Sequence, residues 1–125
     1  YGMEDRMEVL AGDYNLDPIG EGYDLIWASA TLNFARENMD SVMKKIYEAL
    51  NPGGLFVNLS EGLTDEGTKP DFYVLCTVGW AMNGPMMAFE QGFIADAMLN
   101  AGFRSVRSRT LRTGWGPMDI DIARK

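Results

Sequence analysis

The sequence predicts an α/β fold with parallel central strands and a C-terminal antiparallel hairpin, and three observations carry that expectation. Tyr23 to Ala28 is an apolar run without turn residues, the pattern of a strand buried on both faces. Val42, Met43, Ile46, Ala49 and Leu50 recur at three- and four-residue spacing, so one face of a helix over 41–50 is apolar. Leu55 to Leu59 is a second apolar run, reached through Asn51-Pro52-Gly53-Gly54. That stretch should end the helix, because Pro cannot continue it and Gly accepts a left-handed cap. Two strands joined by one helix make a right-handed βαβ unit.

The remaining elements follow in order. Met7 to Ala11 reads as a strand, ending in Gly12-Asp13-Tyr14, and residues 15–22 form a turn-rich loop with Pro18, Gly20 and Gly22. Ser29 to Asn38 connects the next strand to its helix, which Asn38 or Asp40 would cap. In open α/β sheets, ligands sit at that edge. Asp71 to Met82 reads as a helix, broken by Asn83-Gly84-Pro85. Phe89 to Ala101 reads as another, with Phe93, Ile94, Ala97, Met98 and Ala101 on its apolar face and Gly102 as its stop. Phe103 to Leu111 is expected at a sheet edge, where Arg104, Arg107 and Arg109 would discourage pairing with another sheet. Met118 to Ala123 is the last strand, after the Gly114-Trp115-Gly116-Pro117 turn. Asp119 and Asp121 alternate there with Ile120 and Ile122, which predicts carboxylates on a wet face.

The chain has 125 residues, enough for a single domain over 1–125 with a real core. Its net charge of −7 argues against nucleic acid as a partner. No apolar run is long enough to cross a bilayer, the N-terminus lacks the apolar stretch of a signal peptide, and the one cysteine, Cys76, excludes an internal disulfide. A reducing, cytoplasmic setting is expected. There is no histidine, which removes the usual base near neutral pH and the commonest metal ligand; no metal site is expected.

Four segments, in order, carry a resemblance. They are Glu8-Val-Leu-Ala-Gly-Asp-Tyr14, Tyr23-Asp-Leu-Ile-Trp-Ala-Ser-Ala-Thr-Leu32, Ala49-Leu-Asn-Pro-Gly-Gly-Leu-Phe-Val57, and Leu99-Asn-Ala-Gly-Phe103 with the terminal hairpin. Together they resemble the second half of the catalytic domain of class I S-adenosylmethionine-dependent methyltransferases. Within that superfamily they are similar to the O-methyltransferases of the caffeate and bacterial antibiotic type. The resemblance implies a partial Rossmann-like sheet whose first two βα units are missing, in a chain that is the C-terminal part of a longer catalytic domain. It further implies S-adenosylmethionine as cofactor and a small-molecule acceptor methylated on a hydroxyl; a homodimer is expected as well, from the bare strand edge described below.

The resemblance also assigns roles. Asp13, after Gly12, would accept hydrogen bonds from the adenine amine, Tyr14 would stack on the ring, and Trp27 would lie beside them. Read locally, Gly12-Asp13 is an Asx-type turn and Trp27 is core. Asn33 stands where the family has a histidine base, and Asn orients a hydroxyl without accepting its proton. Three explanations stay open: Glu61 assists, the transfer runs by proximity alone, or the protein does not catalyse. Read locally, Asn33 is a loop residue and Glu61 a solvated carboxylate at a strand end. Trp80 and Met82, with Met86 and Met87, would line the acceptor pocket; the plainer reading is packing. The family's Gly-rich loop and ribose-binding acid have no counterpart here. The alternatives are a non-catalytic remnant that dimerises or binds a partner, and an unrelated doubly wound nucleotide-binding module. Without its two missing neighbours, the Tyr23 strand would be a bare apolar edge, which the Met7 strand or a second copy is expected to cover.

Overall fold

A computed structural model describes residues 2–84, 88–114 and 116–125. Strand β1 spans Tyr23–Ser29, α1 Met39–Ala49 and β2 Leu50–Ser60, with a 3-10 segment, Leu32–Asn38, between β1 and α1. β3 (Gly62–Leu63) and β4 (Phe89–Glu90) are short; α2 spans Asp71–Asn83 and α3 Phe93–Asn100. β5 (Ser105–Thr113) and β6 (Gly116–Arg124) close the chain. The main sheet has the order β1-β2-β6-β5. β1 and β2 are parallel, whereas β6 is antiparallel to both β2 and β5. The parallel unit, its crossover helix and the terminal hairpin are therefore as the sequence predicts.

The α1 and α3 side of the sheet holds the core. Val42, Met43 and Ile46 of α1 meet Ile94, Ala97 and Met98 of α3 over Ala28, Phe56 and Ala123. Phe103 closes the end, edge-on to Tyr47 at 5.1 Å between ring centroids. Stacked Phe89 and Phe93 close another side, under the Arg36 guanidinium. Helix α1 has no side-chain cap from Asn38. It ends where expected, at Ala49, but the Asn51-Pro52-Gly53-Gly54 stretch is taken into β2 as an irregularity. The register jumps from Tyr23↔Leu50 to Leu25↔Leu55, and Gly53 supplies the left-handed φ of 81° that the detour needs.

Four expectations are corrected. Residues 7–11 form no strand and lie exposed; they do not pair with the free edge of β1. α3 starts at Phe93 rather than Phe89, since Phe89 and Glu90 pair in parallel with Gly62 and Leu63. β1 is not buried on both faces: Leu25 and Trp27 are 56 % and 55 % exposed, because β1 is an edge strand with one face uncovered. Asp119 and Asp121 do not form a wet face; they are 8 % and 4 % exposed, and it is Ile120 and Ile122 that look toward the open side. β5 holds the opposite edge, with Arg104, Arg107 and Arg109 exposed there or beside it as expected. Met86, Met87 and Trp115, named above from the sequence, lie outside the described residues.

Candidate functional site

The C-terminal ends of β1 and β2 bring Asn33 and Glu61 together. Asn33 sits in the 3-10 segment after β1 and is buried; Glu61 follows β2 directly and is 9 % exposed, so it is not a solvated carboxylate. Asn33 Nδ2 donates to Glu61 Oε1 at 2.7 Å across 28 positions of sequence. A buried carboxylate needs hydrogen bonds or a counter-charge. Among the described residues, Glu61 receives that one hydrogen bond and no ion pair.

The Gly12-Asp13-Tyr14 turn lies beside the same end of β1. Tyr14 Oη donates to the Thr31 carbonyl at 2.5 Å, and Asn15 Nδ2 donates to the Phe34 carbonyl at 3.3 Å. Lys45 of α1 pins the turn from below, its ammonium donating to the carbonyls of Tyr14, Asn15 and Asp17 at 2.9, 3.5 and 2.7 Å. Asp13 Oδ1 accepts from the Asn15 backbone N–H at 2.9 Å, the Asx geometry of the local reading. Its other oxygen accepts no hydrogen bond among the described residues. A Cβ at Gly12 would meet Asp17 Oδ2, the end of an exposed side chain, at 2.9 Å. Tyr14 and Trp27 line one cavity of about 350 Å³, with Ile19, Leu25, Thr31 and Lys45. Gly12 lines a shallower neighbour with Tyr14.

The predicted acceptor-pocket residues are placed differently. Trp80 and Met82 lie on the exposed side of α2, at 38 % and 79 % exposure. Sequence reasoning missed the buried carboxylates of β6 that lie next to the end of β2. Asp119, level with Ser60 across β2 and β6, accepts at Oδ1 from Thr110 Oγ1 at 2.7 Å and Gln91 Nε2 at 3.2 Å. Its Oδ2 lies against Gly62, where a Cβ would overlap it. Asp121, two residues on, accepts from Ser108 Oγ. Burial pushes the Asp121 carboxyl above the usual range and the Asp119 charge adds to this, against the opposing hydrogen bonds from Ser108 and Asn58. Among the described residues, no cluster of ligand-type side chains is suited to hold a metal ion.

No protein-family profile matches the chain. A curated relative, L-tyrosine C(3)-methyltransferase of Streptomyces lavendulae, is 28 % identical over 129 residues, covering 99 % of this chain and 35 % of the relative. The S-adenosylmethionine-dependent methyltransferase SibL superposes with a TM-score of 0.81 at 23 % identity, over 99 % of this chain and 37 % of SibL. Human N-acetylserotonin methyltransferase, solved with S-adenosylmethionine, gives 0.78 at 21 % identity, over 98 % of this chain and 34 % of the human protein. The chain thus spans about a third of the length of the proteins it matches. The chain has the α/β fold, with a mixed sheet of parallel and antiparallel strands, of part of these methyltransferases, and it resembles the S-adenosylmethionine-dependent O-methyltransferase group.

Proposed function

We propose that this chain supplies the acceptor half of a methyl-transfer site, acting on a small molecule that carries a hydroxyl. The observation that carries the reading is the buried 2.7 Å contact between Asn33 and Glu61 at the C-terminal end of two parallel strands. Asn33 cannot take a proton, whereas a carboxylate held in a dry site can. Glu61 therefore removes the acceptor's proton, and the Asn33 amide fixes the carboxylate that receives it. This is the first of the three explanations left open by the sequence.

The residues fit one part of S-adenosylmethionine. The 350 Å³ cavity, mostly apolar and flanked by the Tyr14 and Trp27 rings, has the size of a small-ligand site. The unpaired Asp13 oxygen suits an exocyclic amine. When bound, the cofactor would supply the electrophilic methyl group. This chain's contribution is to hold the adenine side with Asp13, Tyr14 and Trp27 and the acceptor side with Asn33 and Glu61. Human N-acetylserotonin methyltransferase, of the same fold, is solved with S-adenosylmethionine, which supports the assignment of cofactor.

A second reading concerns the atom methylated. The Streptomyces relative is named for methylation at carbon 3 of tyrosine, next to the phenol carbon. Loss of a phenol proton to Glu61 serves either outcome, because a phenolate is nucleophilic at oxygen and at the adjacent ring carbon. Calorimetric titration of the complete protein with S-adenosylhomocysteine tests the cofactor assignment. Binding that Asp13→Ala weakens is expected. No binding at millimolar ligand would leave the chain a non-catalytic remnant.

A further inference from the structure

The Asp13 turn is tied to the segment that carries Asn33 by two neighbouring side chains. Tyr14 Oη donates to the Thr31 carbonyl at 2.5 Å. The same carbonyl accepts from the Phe34 N–H at 3.2 Å, the bond that closes the first turn of the 3-10 segment. Asn15 Nδ2 reaches both ways, donating to Asp13 Oδ1 at 3.2 Å and to the Phe34 carbonyl at 3.3 Å. The two attachments therefore fall on either side of Asn33, whose amide holds Glu61 at 2.7 Å. Hydrogen bonds and one short stretch of backbone lead from the Asp13 carboxylate to the Glu61 carboxylate. The turn itself is exposed at Asp13 and Asp17, and within it only Tyr14 packs on the core. Beyond these links it hangs on the Lys45 ammonium. A segment with so few apolar contacts opens at low free energy. A ligand that binds only its ordered form stabilises it by mass action, together with whatever the turn is bonded to.

We propose that Tyr14 and Asn15 are positioning residues that couple the cofactor side of the site to the acceptor side. Occupation of the Asp13 turn by the adenine end of the cofactor orders the first turn of the 3-10 segment and so fixes Asn33 on Glu61. This rests on the methyl-transfer reading and deepens it: the proton-accepting pair is fully held only once the cofactor is in place. The link depends on a hydroxyl and an amide, not on bulk. The Tyr14 ring lines the 350 Å³ cavity, whereas its hydroxyl points away to the Thr31 backbone. Tyr14→Phe therefore keeps the wall of the cavity and removes only the link.

The test is NMR of the complete protein with S-adenosylhomocysteine as the probe. Two signals report on the acceptor side: hydrogen exchange of the Phe34 backbone N–H, and the shift of the Asn33 side-chain amide, which senses its bond to Glu61. With the probe at ten times its Kd, Phe34 exchange in wild type should slow by about tenfold, and the Asn33 signal should move in step. Tyr14→Phe and Asn15→Ala should each still bind the probe and each lose part of that slowing; the double variant should lose it altogether. A merely structural role would speed exchange with and without the probe alike, leaving the ratio of the two rates at its wild-type value. That result overturns the proposal. So does a wild-type Phe34 rate left unchanged by a probe that calorimetry shows to be bound. Loss of probe binding in Tyr14→Phe overturns it as well, since the hydroxyl would then shape the cofactor turn rather than link it. Absence of probe binding to wild type sinks the methyl-donor reading, and the coupling with it.

Discussion

The two faces of the main sheet are made by alternate residues of the same strands, yet they differ in almost every respect. Toward α1 and α3, Ala28, Phe56 and Ala123 sit in a continuous core, and the row continues into a buried polar lane of Asn58, Ser60, Asp119 and Asp121. Toward the other side, Leu25, Trp27, Leu55, Leu59, Ile120 and Ile122 are exposed or half-buried, although all six are apolar. The polar residues are inside and a row of aliphatic ones is outside. An apolar face of this size marks a surface that normally meets another layer. The lesson is that the strands carry the pattern of a two-sided, three-layer sheet, while the described residues supply one covering layer.

The comparison breaks most directly at Phe56 and Trp27. Phe56→Ala empties a fully enclosed site and should cost about 3–5 kcal/mol. Trp27→Ala removes a larger side chain from the open face and should cost less than about 1 kcal/mol. Urea denaturation of both variants reads the difference. A loss at Trp27 as large as that at Phe56 would mean that the open face is covered in solution.

Lys45 gives a smaller effect, at the boundary between α1 and the Asp13 turn. Lys45→Met removes three hydrogen bonds to carbonyls of that turn, at roughly 1 kcal/mol net. Hydrogen exchange at residues 13–17 should rise sharply while exchange in α1 stays slow. Uniform protection across both variants would show that the turn is held some other way.

The smallest effect tests the buried polar lane. The Asp121 carboxyl has a folded pKa above its ordinary value of 3.8, chiefly from burial, so the folded state binds its proton more tightly than the unfolded chain. The stabilisation this provides is complete below the ordinary value and is lost as pH rises through the raised folded one. Asp121→Asn should flatten that part of the stability profile. The variant should gain on wild type as pH rises through the window and show no gain below about pH 3.8. A profile parallel to wild type would place Asp121 in a wetter setting than its 4 % exposure indicates.

Much of the architecture was legible because local chemistry decides it. The spacing of Val42, Met43 and Ile46 is helical whatever surrounds it, and the apolar runs at 23–28 and 55–59 pair in parallel because a helix separates them. The Met7 segment misled because strand propensity alone, without pairing to a neighbouring strand, makes no strand. Of the candidate site, Asn33 and Glu61 were named from a resemblance, and Tyr14 and Trp27 likewise.

The order and type of most elements, the crossover between parallel strands and the closing hairpin were written in the sequence by itself. Which face of β6 points inward was decided only by tertiary structure. A period of two says that Asp119 and Ile120 face opposite ways, and nothing in it gives the sign. The sign is set by neighbours far along the chain. Ser108 and Thr110 on β5 and Gln91 before α3 supply the donors that let two carboxylates be buried, and the Asn33 amide does the same for Glu61.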